Sequence, residues 1–183
     1  RAPELVGLKN LRVNENEQAV IELKAVDHDG DDIIFSVEDI PENAKLDGNV
    51  FTFNPGYDFV QKNSAFDYVL DKFRLLGRSV NIVFAAQSNK LSDEKNVKVT
   101  VKNTNRPFVL EELEDIEVDE GEEIVIDPKY NDPDNDRVSF SYSGFMNGDK
   151  KKTGFDDSGE YIVKVVATDD YFTETVFVNI KIN

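Results

Sequence analysis

The chain has 183 residues, 39% of them hydrophobic, and its 13 Phe and 6 Tyr are enough bulky apolar material to bury a core, which excludes a disordered chain. Its 37 acidic residues against 21 basic ones leave a net charge of −16, which repels phosphate backbones and so excludes nucleic acid as a partner while attracting cations. There is no cysteine, hence no disulfide or thiolate metal site, and no apolar run reaches the roughly 20 residues of a membrane span.

The chain opens on Arg1 with no signal-peptide pattern, as expected for a processed protein or a fragment of a longer one. From there an internal repeat organises the reading. Residues 8–37 align without a gap on residues 113–142, an offset of 105: Leu8 with Leu113, Val13 with Val118, Glu15 with Glu120, Asp27 with Asp132, Phe35 with Phe140. The approaches match as well, Arg1-Ala2-Pro3 with Asn105-Arg106-Pro107. One module therefore occurs twice, over 1–103 and 104–183, meeting at Asn103-Thr104-Asn105-Arg106-Pro107.

Within the first copy, residues 64–77 have no counterpart in the second. Phe66, Val69, Leu70 and Phe73 fall at helical spacing, Ser64 can cap the start and Gly77 can end it, which predicts one short amphipathic helix packed on the domain. Strand patterns follow in order: Val97, Val99 and Val101, then Val138, Phe140 and Tyr142, then Tyr161, Val163, Val165 and Ala167, then Val176, Val178, Ile180 and Ile182, each alternating with polar residues. Short strands broken by Gly, Asp, Asn and Pro turns indicate β-sandwiches.

Several pieces resemble cadherin-like modules, particularly the dystroglycan-type and Ig-like repeats of prokaryotic cell-surface proteins. In the first copy they are Val13-Asn14-Glu15-Asn16, Ala25-Val26-Asp27-His28-Asp29-Gly30-Asp31 and Phe51-Thr52-Phe53-Asn54-Pro55. In the second they are Val118-Asp119-Glu120-Gly121, Asn131-Asp132-Pro133-Asp134-Asn135-Asp136 and Ala167-Thr168-Asp169-Asp170. Asp157-Ser158-Gly159-Glu160-Tyr161 is similar to the tyrosine corner of immunoglobulin-like domains, with Val163 where such a domain places a cysteine. The resemblance implies two tandem all-β Greek-key sandwiches, the first carrying the helix, in an extracellular, structural or adhesive cell-surface protein. Absence of Asn-x-Ser/Thr sequons leans the same way, towards a prokaryotic source.

Asp27-x-Asp29-x-Asp31 and Asp132-x-Asp134-x-Asp136 each put three carboxylates within five residues, a pattern that serves equally as calcium ligands or as a solvated turn. The resemblance implies a calcium site at the junction that stiffens the pair, using Glu15, Asn103, Asn105, Asp132, Asp134 and Asp169, with Asp136 in the same loop. Asp27, Asp29 and Asp31 make a weaker second candidate, because Gln87 in Ala85-Ala86-Gln87-Ser88 stands where the second copy has Asp169.

No enzyme is expected: the single histidine, His28, replaces Pro133 in an acidic turn, and no nucleophile–base pair, phosphate loop or zinc cluster stands out. Expected partners are further copies or another cell-surface protein. Two alternatives stay open: a filament or surface-layer subunit that adds the final strand, residues 175–182, to a neighbour, and a glycan-binding module using Tyr57, Phe59, Tyr171 and Phe172.

Overall fold

Alternating apolar residues in short runs, separated by left-handed turns, fold into strands throughout, and the computed structural model describes all 183 residues. It divides into two compact units, Arg1–Thr104 and Asn105–Asn183. Thr104 goes with the first unit rather than the second because its N–H donates to Glu15 Oε2 at 2.9 Å.

The first unit contains β1 (Glu4–Val6), β2 (Leu11–Asn14), β3 (Ala19–Glu22), β4 (Lys24–Val26), β5 (Ile34–Glu38), β6 (Ala44–Asp47), β7 (Val50–Phe53), α1 (Ala65–Lys72), β8 (Gly77–Ser88) and β9 (Leu91–Lys102). A four-stranded sheet runs β2-β9-β8-β5, with β2 parallel to β9 and the other neighbours antiparallel. The β3-β7-β6 sheet closes the core from the other side, and β1 pairs with β4. Phe51 of β7 meets Phe84 of β8 edge-on, with ring centroids 5.1 Å apart, and Val97, Val99 and Val101 of β9 are fully buried around them. This is the layered packing that period-2 strands produce when one face of each is apolar.

The second unit repeats the plan with β10 (Val109–Leu110), β11 (Ile116–Val118), β12 (Glu123–Val125), β13 (Tyr130–Asn131), β14 (Ser139–Gly144), β15 (Lys150–Lys152), β16 (Gly159–Thr168) and β17 (Thr173–Ile182). Its main sheet runs β11-β17-β16-β14, with β11 parallel to β17, and β10-β13 and β12-β15 complete it. Val163, Val165, Val178, Ile180 and Ile124 are buried in its core.

The register dates the insertions. Leu11 pairs with Val99 as Ile116 pairs with Ile180, and Ala19 pairs with Phe53 as Ile124 pairs with Lys151. The offset between equivalent residues is therefore 105 up to β3, 98 at β7 and 81 from β8 onward. Seven extra residues go to β6 and its turn, and seventeen to the helical segment. The turns keep equivalent left-handed positions as well: Asn16 matches Gly121, and Gly30 matches Asn135, all with positive φ. Only glycine and asparagine adopt that conformation cheaply.

Three expectations change. The helix is capped by Ser64, whose side chain accepts from the Asp67 N–H, but it ends at Phe73, with Arg74 left-handed and donating to the Asp71 carbonyl. Gly77 instead opens β8, where a Cβ would lie 2.7 Å from the Val101 carbonyl oxygen. The helix face is also not all packing. Leu70 reaches the core, whereas Phe66, Val69 and Phe73 are exposed. Finally, the last strand is no free edge, since β17 lies between β11 and β16; the outer strands are β11 and β14.

Candidate cation-binding loops

In the second unit, the Asn131-to-Asp136 turn is organised by one carboxylate. Asp132 Oδ1 accepts the N–H of Asp134 at 2.7 Å and of Asp136 at 3.0 Å, the local bonding that makes Asp a turn former. This buries Asp132, and its Oδ2 is sealed from solvent with no hydrogen-bond partner. Asp169 is buried likewise, its Oδ1 accepting from the N–H groups of Tyr171 at 2.8 Å and Phe172 at 2.6 Å.

Asn105 and Arg106 tie these two loops together. Asn105 Nδ2 donates to Asp169 Oδ2 at 3.3 Å, while its Oδ1 is buried without a partner. Arg106 donates its backbone N–H to Asp134 Oδ2 at 2.6 Å and its guanidinium to Oδ1 at 2.7 and 2.9 Å. The guanidinium also donates to the Pro133 carbonyl at 2.8 Å. Asp134 thus already faces a cation supplied by the chain. Asn105 is bonded to Asp169 and Arg106 to Asp134, while Asp132 accepts the N–H groups of Asp134 and Asp136, so these residues are linked by pairwise bonds rather than gathered as one carboxylate cluster.

The expected ligands of the first unit serve its own fold. Glu15 is buried; Oε1 accepts from Val60 N–H at 2.6 Å and Oε2 from Thr104 N–H. Its repeat partner Glu120 makes the equivalent bond, accepting from Ser158 N–H at 2.9 Å. Glu15 is therefore a clip between strand end and loop that both modules possess. Asn103 donates to Asp71 Oδ1 at 2.8 Å, and Asp71 pairs with Lys62 at 2.8 Å, both charged side chains being only 7% exposed.

The weaker candidate has the same turn as its repeat. Asp27 Oδ1 accepts from the N–H of Asp29 at 2.8 Å and of Asp31 at 3.4 Å, and Oδ2 is buried without a partner. Burial acts to raise the Asp27 carboxyl, but the N–H groups of Asp29, Asp31 and Gly30 outweigh it and hold it below its ordinary value of 3.8. Asp29 contacts the Arg1 amino group, and Asp31 accepts from Asn89 at 2.7 Å.

Register also corrects the comparison of the two loops. Phe35 pairs with Ala86 and Phe140 with Ala167, so Ser88, not Gln87, occupies the place of Asp169. Ser88 is buried as Asp169 is, and its hydroxyl has no partner. Gapless alignment outside the matched segment shifted this position by one residue; strand pairing restores it. Sequence reasoning also missed Arg106 and the Lys62–Asp71 pair, because opposite charges far apart in sequence give no local signal.

As the side chains stand, no group of three or more carboxylates or imidazoles is gathered to hold a metal ion. Two buried oxygens are left without a donor, Asp132 Oδ2 and Asn105 Oδ1, and Asn105 is also hydrogen-bonded to Asp169. Buried oxygens without donors are costly unless something compensates them. Two of the aromatic candidates for glycan binding are engaged within the first unit. Phe59 lies edge-on to Phe53 and under the Arg78 guanidinium, and Tyr57 holds Asn16 at 3.2 Å. His28 is exposed. No helix is long and apolar enough to cross a membrane.

The tyrosine corner is present, with the Tyr161 hydroxyl donating to the Asp157 carbonyl at 3.0 Å. No protein-family model matches the chain, and no curated protein matches it by sequence. Among solved structures, human protocadherin-24 EC1-2 is similar with a TM-score of 0.54 at 14% identity, over 100% of this chain and 99% of that one. Drosophila N-cadherin EC1-4 gives 0.52 at 16% identity, over 100% of this chain and 50% of that one. An endo-fucoidan hydrolase from glycoside hydrolase family 107 gives only 0.40 over 28% of its length, too little to carry any argument. The fold is thus cadherin-like and Ig-like in all-β character, with one short helix in the first unit.

Proposed function

We propose that the chain is a pair of extracellular structural or adhesive modules of a cell-surface protein, the second of which carries a weak calcium site. The reading as a module pair rests on one sandwich built twice, each copy using acidic side chains (Glu15 in the first; Glu120, Asp132 and Asp169 in the second) to hold loops by backbone bonds. Such economy suits a spacer or adhesive rod, which needs rigid units more than a reactive centre. The neighbours of similar fold are cadherin repeats.

The observation that carries the calcium reading is the pair of sealed oxygens on Asp132 and Asn105. Calcium prefers six to eight oxygens, so carboxylate, amide and water would complete its shell, and affinity is expected in the ~10⁻⁴–10⁻³ M range of extracellular modules. Asp132 and Asn105 would hold the ion with Asp169, while Arg106 keeps Asp134 occupied. Bound there, calcium supplies charge neutralisation and nothing catalytic. Glu15 and Asn103 are spent within the first unit and are not included.

Calorimetric titration of the whole chain with calcium tests this. Wild type is expected to release heat with a submillimolar to millimolar midpoint, and Asp132→Asn to lose it while remaining folded. Equal heats from the two proteins would remove the site.

A further inference from the structure

The helical insertion presents an apolar surface that the fold does not use. Phe66, Phe73 and Leu75 are 66%, 69% and 68% exposed, and Tyr68 and Val69 are about half exposed. Large apolar side chains scattered singly need no explanation, but five within ten residues of one insertion form a patch of the kind that marks an interaction site. The surrounding charge is equally distinctive. Residues 62–78 carry Lys62, Lys72, Arg74 and Arg78 against Asp67 and Asp71. The Lys62–Asp71 pair is internal, both side chains being only 7% exposed, which leaves Lys72, Arg74 and Arg78 against Asp67 at the surface of the insertion. The patch is apolar and cationic on a chain of net charge −16.

A surface of complementary character exists on the second unit. Its residues include 20 acids against 8 bases, whereas the first unit has 17 against 13. On the outer face of β11, β17 and β16, a groove is lined by Asp115, Glu117, Glu160, Ile162 and Lys181. Ile162 stands 57% exposed in it, and Phe177, on the same face one strand over, is exposed as well. The groove carries three carboxylates against the one ammonium of Lys181, which pairs with Glu117, and so keeps a net negative charge around Ile162.

We infer that the Phe66–Phe73 surface of one copy docks on the Ile162 groove of a second copy, in a head-to-tail contact. The two patches differ, so the contact is heterologous: a dimer keeps one patch of each kind unused, and association continues beyond it. Charge complementarity steers the encounter, while the aromatic side chains supply the buried area. The inference adds a partner and a surface to the adhesive reading and does not involve the calcium loops.

Sedimentation velocity over a concentration series decides it. Phe66→Asp is a suitable variant because an acid in the first turn suits the helix dipole and the side chain is exposed, so folding is retained. Glu160→Lys alters the groove without removing an apolar group. Wild type is expected to form species larger than a dimer as concentration rises towards millimolar, and each variant alone to stay monomeric. An equimolar mixture of Phe66→Asp and Glu160→Lys, which together keep one intact patch of each kind, is expected to stop at a dimer. A monomeric wild type at millimolar concentration would overturn the inference and leave the patch to a different protein. Oligomers that survive Glu160→Lys but not Phe66→Asp would overturn it too, showing helix-to-helix self-pairing.

Discussion

Replacing Lys62 by Ala should clearly destabilise the first module, because it strands a buried charge. Lys62 Nζ lies 2.8 Å from Asp71 Oδ2, and both side chains are 7% exposed. Asp71 sits on the helix and also accepts from Asn103 at 2.8 Å, so the pair fastens the insertion to the end of β9. Removing one partner of a buried pair costs about 3–5 kcal/mol, chiefly because the remaining charge is uncompensated. Asp71 keeps its Asn103 bond, which places the loss near the lower end, about 3 kcal/mol. For a domain of this size, roughly 4 °C per kcal/mol gives a melting transition about 12 °C lower. Differential scanning calorimetry on the intact chain reads this as movement of one transition with the other unmoved. The companion Lys62→Met/Asp71→Leu removes both charges and should recover much of the loss, since paired replacement by apolar groups is often close to neutral. A loss below about 1 kcal/mol for Lys62→Ala, or a double variant as poor as the sum of both single ones, would refute the reasoning.

Tyr161→Phe deletes only the hydroxyl bond to Asp157 and should cost about 0.5–1.5 kcal/mol in urea unfolding of the second module, with an unchanged slope. Arg106→Ala frees Asp134 from its internal cation; calcium affinity by calorimetry should rise about tenfold, roughly 1.4 kcal/mol, and an unchanged affinity would show that Asp134 cannot reach the ion. Acid unfolding should respond to Asp115, whose carboxyl is held below its ordinary 3.8 first by the Asn179 side chain and then by the Asn179 N–H. A depressed folded value stabilises fully above the unfolded value and is lost as pH falls through the folded one. Asp115→Asn should therefore flatten the stability–pH curve below about pH 4 and leave it parallel above pH 6, checked by urea midpoints across that range.

Period-2 alternation in residues 97–101, 161–167 and 176–182 determined the strands, and the repeat at an offset of 105 determined that one module occurs twice, because both patterns are written in the order of residues alone. Ser64 as a cap and Tyr161 as a corner were equally legible, since each acts within four residues of itself. The tertiary structure decided what depends on residues distant in sequence. It made Ser88 the repeat equivalent of Asp169 through strand register, gave Arg106 to Asp134 and Lys62 to Asp71, and spent Glu15 on Val60 and Thr104. It also left Phe66 and Phe73 in solvent: helical spacing says which residues share a face, but only the shape of the neighbouring sheet says whether anything covers it.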